Sequence, residues 1–236
     1  MATIATTGDF TLALGTGGDF SSTTVDSMGN VTISAAGQAS TADVTLTTRL
    51  SACGTVTMTV AGATGSTIDL ANVNGKALTI DASSYVGALD VHAVTASGAV
   101  SITLGSQGDF SASSIVALGA INLDNSLQAA GQSGGIVLNS VSSSGVQTFS
   151  LGAGSGTFTA AGIVSLDGVT INASGFGGTI GMNSIIASGA VTITGGVRGE
   201  VDISAVAVNG AVTLDLSRGL SGTTTSLQDL SAGGAV

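Results

Sequence analysis

A glycine followed by a Val-Thr-Ile-like run recurs along the whole chain, and that recurrence leaves few folds open. Ala187 to Leu214 shows it most plainly. Gly189 opens Ala-Val-Thr-Ile, Gly210 opens Ala-Val-Thr-Leu, and a second strand-like run, Val201 to Val208, lies between them. The marker glycines are Gly8, Gly29, Gly54, Gly75, Gly98, Gly119, Gly145, Gly168, Gly189, Gly210 and Gly233, at steps of 21 to 26 residues. A longer offset supports the register. Leu14, Gly15, Gly18, Asp19, Phe20, Ser21 and Gly29 return 90 positions later as Leu104, Gly105, Gly108, Asp109, Phe110, Ser111 and Gly119. Periods of this size belong to solenoids, propellers or arrays, and propeller blades take roughly 40 residues each.

The runs themselves point to strands. Val, Ile and Thr are β-branched and suit a pleated, half-buried surface. Val31-Thr32-Ile33-Ser34, Val56-Thr57-Met58-Thr59 and Val191-Thr192-Ile193-Thr194 alternate apolar and polar. That period places Val and Ile on one face and the hydroxyl residues on the other. Runs so short are not stable alone, but stacked coils pair them in parallel over one continuous core. The expected fold is an all-β parallel β-solenoid of about ten coils, roughly 21–26 residues per coil, with residues 1–236 as one domain. At about 4.8 Å per coil it is a rod roughly 48 Å long. Corner glycines are expected to supply positive φ and close approach between coils. Longer units around Gln38 and Gln128 to Gly135 are expected to bulge as loops.

Composition narrows the function classes. With 43% hydrophobic residues in periodic positions the chain is not a disordered linker, and its 37 glycines follow no collagen period. Arg49, Lys76, Arg198 and Arg218 are the only basic residues against 14 acids, a net charge of −10. A nucleic-acid partner needs a basic footprint and is excluded. No apolar run approaches the roughly 18 residues of a membrane span, so membrane insertion is not expected. MATIATTGDF is not a conventional signal peptide. Cys53, the single cysteine, forms no intrachain disulfide and is read as a small core filler.

Runs such as GAVTITGGVRGEVDISAVAVNGAVTLDLSRG resemble the right-handed parallel β-helix repeats of large bacterial surface proteins: filamentous haemagglutinin-like adhesins, giant type I-secreted adhesins and surface-layer proteins. Bactofilins, cytoskeletal β-helix filaments, are a more distant resemblance. The resemblance implies an adhesion, fibre or coat role at the cell surface or outside the cell, reached without an N-terminal signal peptide. A cytoplasmic filament is the alternative. The chain lacks the Gly-Gly-x-Gly-x-Asp calcium nonapeptide and the haemagglutinin-type secretion segment that such proteins carry.

Candidate chemistry is sparse. Glu200 and Asp202, with Arg198 nearby, form the densest charged cluster. His92 is the only histidine. General acid–base work needs paired titratable groups, and a solvated edge explains the cluster better, so no enzyme is expected. Asp19, Asp43, Asp69, Asp90, Asp109 and Asp202 each sit near the start of a second strand. A column of them would repel unless a hard cation such as calcium bridged it, with Asp19, Asp109 and Asp202 as the candidate ligands. The simpler reading is Asp as a turn residue. The Thr-x-Thr pairs resemble the faces of ice-binding solenoids, although Asn122-x-Asp124 and Thr213-x-Asp215 interrupt them. Tyr85 and the six phenylalanines are read as core. The favoured function is a self-assembling structural solenoid that associates head to tail with itself through uncapped end coils. An ice- or polysaccharide-binding solenoid, or a phage or virion fibre segment, is the alternative.

Overall fold

A computed structural model describes residues 2–15, 18–35, 43–62, 66–106, 109–196, 199–217 and 224–236. The Gln38 segment, Arg198 and Arg218 lie outside these ranges. The chain is an all-β parallel solenoid of about nine turns, and among the described residues there is no helix. Every strand pairs in parallel with its counterpart one coil away. Two sheets result: a narrow one of ten strands and a broad one of 13.

The narrow sheet is built from the Val-Thr-Ile runs, such as Val100–Leu104 and Val191–Thr194. One inward column passes through Phe10, Val31, Val56, Leu78, Val100, Ile121, Gln147, Val169, Val191 and Val212. Its steps average about 22 residues, with longer ones of 25 (Val31 to Val56) and 26 (Ile121 to Gln147). The glycine marker drifts by one against this register. Gly75 stands three residues before Leu78 and Gly168 one before Val169, so Lys76 and Asp167 occupy those corners. Gly234, not Gly233, stacks on Gly210, donating its N–H to the Gly210 carbonyl at 3.1 Å.

The broad sheet carries the second run of each coil, and each long strand is bent. In Asp109–Ala117 the inward residues are Phe110, Ala112, Ile115 and Ala117, with Ser113 and Ser114 both turned out between them. Two successive outward residues break the period-two alternation and fold the sheet into two faces. In two coils the bend interrupts the strand: Ile136–Leu138 is followed by Val141–Ser143, and Thr157–Ala160 by Ile163–Ser165. The first pair is not evident as strands in the sequence, and the second reads there as one run, Thr157 to Val164.

The core is one continuous column of Val, Ile, Leu and Ala. Burying each such Val, Ile or Leu contributes about 1.5–3 kcal/mol relative to exposure. Four of the six phenylalanines, Phe110, Phe149, Phe158 and Phe176, are fully buried. Phe149 and Phe158 join the two sheets edge to face at 5.5 Å. Tyr85 fills a corner and donates its hydroxyl to the Ala88 carbonyl at 3.2 Å; burial pushes its phenol pKa up.

Two expectations change. Cys53 is exposed, because Ala52 takes the inward position and alternation turns the next residue out. Among the described residues, Gly131 alone has a positive φ, at 85°. The corner glycines serve close approach. A Cβ on Gly119 would stand 2.7 Å from the backbone of Gly98 and Ala99 in the preceding coil. The 126–135 segment is a loop beneath which the strand stack continues, as expected. Its Gln128 nevertheless turns inward and is buried. The Gln128 amide donates to the Gly134 carbonyl at 2.9 Å and accepts from Asn125 Nδ2 at 3.1 Å.

Candidate functional site

The bend gives the solenoid three outward faces, each with its own chemistry. On the first half of the broad sheet, Asp69 and Asp90 are register partners in adjacent coils. His92 shares that face, and its Nε2 lies 3.2 Å from Asp69 Oδ1. Ser111 donates its hydroxyl to the Asp90 carboxylate. Shallow hollows of about 360 and 180 Å³ flank the imidazole, one beside Asp69 and Asn72, the other beside Asp90 and Ser111. His92 is 60% exposed and Asp69 44%, so solvent weakens this pair. Among the described residues no three His, Cys, Asp or Glu side chains converge as a metal would require.

The calcium candidates are kept apart. Asp19 Oδ1 accepts the N–H of Asp43 at 3.1 Å, and Asp43 Oδ1 accepts that of Thr67 at 2.7 Å. Asp109 Oδ1 accepts the N–H of Gly135 at 2.7 Å. These three each precede the first inward residue of a broad-sheet strand and cap the amide one coil on. Thr67 and Ala88 separate Asp43 from Asp109 in that column. Asp202 belongs to a different column, partnered by Gly181 and Ser226. Glu200 and Asp202 are exposed on either side of Val201. The capping role is an inter-coil one, which a sequence reading of Asp as a local turn residue does not supply.

The narrow sheet presents hydroxyls. Its outward column is Thr11, Thr32, Thr57, Thr79, Ser101, Asn122, Thr148, Thr170, Thr192 and Thr213, uncharged through all ten strands. The neighbouring column is mixed. Asp81, Asp124, Asn172 and Asp215 each turn back to accept the N–H two residues on, at Ser83, Ser126, Ser174 and Ser217. The hydroxyl and backbone N–H of Ser83 hold the Asp81 carboxyl below the ordinary aspartate pKa.

The second half of the broad sheet is divided along its length. Toward the N-terminus it carries Asp26 and Arg49, paired bidentately at 2.6 and 2.9 Å, and an open groove of about 430 Å³ beside Met28 and Cys53. That exposed pair raises the Arg49 pKa. Farther along, Val116, Leu118, Val164, Leu166 and Ile186 face outward and are 38–66% exposed. Sequence reasoning missed this stripe, because Val and Ile in a strand read as core until the bend fixes which half of each run points in.

No family model, curated protein or solved structure matches the chain. The fold assignment rests on the register itself, in which every strand of both sheets repeats one coil on.

Proposed function

We propose that the chain is a structural, self-assembling solenoid of a bacterial extracellular fibre, surface layer or adhesin, extended through its end coils. The observation that carries this reading is the state of the sheet edges. Among the described residues, Thr3–Thr6 and Phe10–Ala13 at one end, and Val212–Asp215 and Thr225–Ala232 at the other, each have a strand neighbour on one side only. Ile4, Phe10, Leu12, Leu214 and Leu227 in these coils are only partly buried against the core. A parallel edge with its apolar layer open is a template for strand addition. Either a second copy or further coils of one polypeptide complete it, and head-to-tail contact between copies gives an open filament unless the rotation closes it. The resemblance of the repeat to surface β-helices supports the location; a cytoplasmic filament is the alternative.

The test is electron microscopy and light scattering of the purified chain, with and without added salt or calcium. Screening the net charge of −10 should promote association. Rods should lengthen in multiples of a unit of roughly 48 Å, ten coil spacings of about 4.8 Å, because each added copy brings the ten strands of the narrow sheet. Ile4→Lys and Leu227→Lys, which charge the two open layers, should keep the protein monomeric. A strictly monomeric wild-type chain at high concentration with salt or calcium would overturn self-assembly.

A further inference from the structure

The apolar stripe on the second half of the broad sheet has a regular relief. Val116 is the register partner of Ser142, Ser142 of Val164, and Val164 of Ile186. The next outward column, two residues on, holds Leu118, Ser144, Leu166 and Ser188. Ridges of large side chains at the Val116 and Val164 coils thus flank a recess one coil wide at Ser142 and Ser144. Leu118 and Leu166 are the most exposed members, at 65% and 66%.

We infer that this stripe is the contact surface of a weak antiparallel homodimer, its occupant being a second copy of the chain. The relief is complementary to itself in one orientation. A two-fold axis lying in the interface, across the solenoid between the Ser142 and Val164 coils, reverses the coil order and keeps the columns aligned. Val164 and Leu166 of each copy then sit over Ser142 and Ser144 of the other. Ile186 sits over Val116, and Leu118 over Ser188. A parallel pair would set ridge on ridge instead. Such a two-fold contact is isologous and closes on itself.

Charge favours the same occupant. Two copies with a net charge of −10 repel over most approaches, but the eight outward positions from Val116 to Ser188 carry no ionisable group. One coil farther at each end the facing pairs are Thr95 with Ala207 and Ser97 with Asn209, which are also uncharged. Asp167, at the rim, meets Gly145 of the other copy. In the same columns near the N-terminus, Asp26 and Lys76 end the uncharged surface. The contact spans about six coils, roughly 24 Å, by two outward columns about 7 Å apart, a patch on the order of 300 Å² and so smaller than the roughly 800 Å² per partner of a stable interface. The association is therefore weak and appears at high concentration. It is lateral and uses no sheet edge, so it stands or falls independently of end-to-end assembly.

Cross-linking tests the orientation. Ser114 and Ser184 lie at the bend beside the stripe, in its first and last coils, and face each other across the proposed two-fold. Single-cysteine variants S114C and S184C, each also carrying Cys53→Ser, are mixed at high concentration and treated with a short bismaleimide. The expected product is the S114C–S184C heterodimer, several-fold above either homodimer, and its loss when Leu166→Lys is added. Leu166→Lys should leave the circular dichroism and thermal midpoint unchanged, since the side chain is outside the core. Predominant homodimers would rule out the antiparallel register. Cross-linking that survives Leu166→Lys would place the contact elsewhere. No cross-linking at high concentration would leave the stripe to a different partner. Each of these three results overturns the proposal.

Discussion

A Cβ on Gly178 would fall on the carbonyl oxygen of Gly156, one coil back. Gly199 stands in the same relation to Gly178. The coils close on each other at this corner with no room for any side chain, and the obstacle is backbone. Gly178→Ala should therefore destabilise the protein by about 1–3 kcal/mol or more, the usual range for overpacking. Gly181, on a strand three residues away, has open space where its Cβ would be, so Gly181→Ala should change stability by less than about 0.5 kcal/mol. Denaturant midpoints of the two variants check the pair; similar losses would mean that the corner relaxes.

The inward and outward columns of the narrow sheet make a matched contrast. Val191 is fully buried, whereas Thr192 faces out. Val191→Asp buries an unpaired charge and should cost several kcal/mol. Thr192→Asp should cost about 0.5 kcal/mol or less. A loss below about 1 kcal/mol at Val191 would contradict the assigned face.

Gln128 anchors the 126–135 loop by turning into the core, and Gly154 lacks a Cβ where the Gln128 side chain lies. Gln128→Ala leaves the Gly134 carbonyl and the Asn125 amide without these bonds. Asn125 Oδ1 already has no hydrogen-bond partner among the described residues. Unsatisfied buried groups cost about 1–3 kcal/mol each, so the variant should lose about 2 kcal/mol and become cleavable within 126–135. Limited proteolysis followed by mass spectrometry reads this directly.

The repeat period, the parallel pairing and the inward face of the Val-Thr-Ile runs were legible in the sequence, because period-two alternation and spaced glycines act locally. In most coils the second run was also legible as a strand, but which of its residues point in was not, because its alternation breaks at the bend. Ser113 and Ser114 both point out, and nothing in the composition marks that corner. The same ambiguity hid the exposure of Cys53 and the stripe from Val116 to Ile186. The inter-coil caps of Asp19, Asp43 and Asp109 depend on register across 24 to 26 residues. The pairing of His92 with Asp69 joins residues 23 apart, a distance at which spacing alone does not choose partners.

Asp81 gives a pH signature. Its folded pKa lies below the ordinary value of 3.8, so its contribution is fully present above that value. It is lost as pH falls through the lower folded pKa. The carboxylate is exposed, so the contribution is a few tenths of a kcal/mol at most. Asp81→Asn keeps an acceptor for the Ser83 N–H but removes the charge. Stability of the wild type relative to Asp81→Asn, measured by urea midpoints, should decline as the pH is lowered through this window. A difference that grows toward low pH would reverse the assignment.

The threonine face makes the last prediction. Its outer column runs uncharged from Thr11 to Thr213 at about 4.8 Å per coil, which favours contact with an ordered surface. An ice plane is a two-dimensional lattice, however, and one column of hydroxyls matches it along one direction only. The second column, which would supply the other direction, reads Ala13, Ser34, Thr59, Asp81, Thr103, Asp124, Ser150, Asn172, Thr194 and Asp215. Threonine holds only three of those positions. Asp81, Asp124, Asn172 and Asp215 are committed to the turn that follows them, so their oxygens do not stand in line with the hydroxyls. The steps of 25 and 26 residues do not disturb the first column, because the narrow-sheet register runs unbroken across both. The defect is thus one of width, not length. The protein should show no thermal hysteresis above a control of equal concentration. Replacing Asp81, Asp124, Asn172 and Asp215 together by Thr should widen the array, at about 0.5–2 kcal/mol for each lost turn bond. Clear freezing-point depression by the wild-type chain, abolished by Thr170→Lys in the middle of the first column, would make this face the functional one and displace the structural reading.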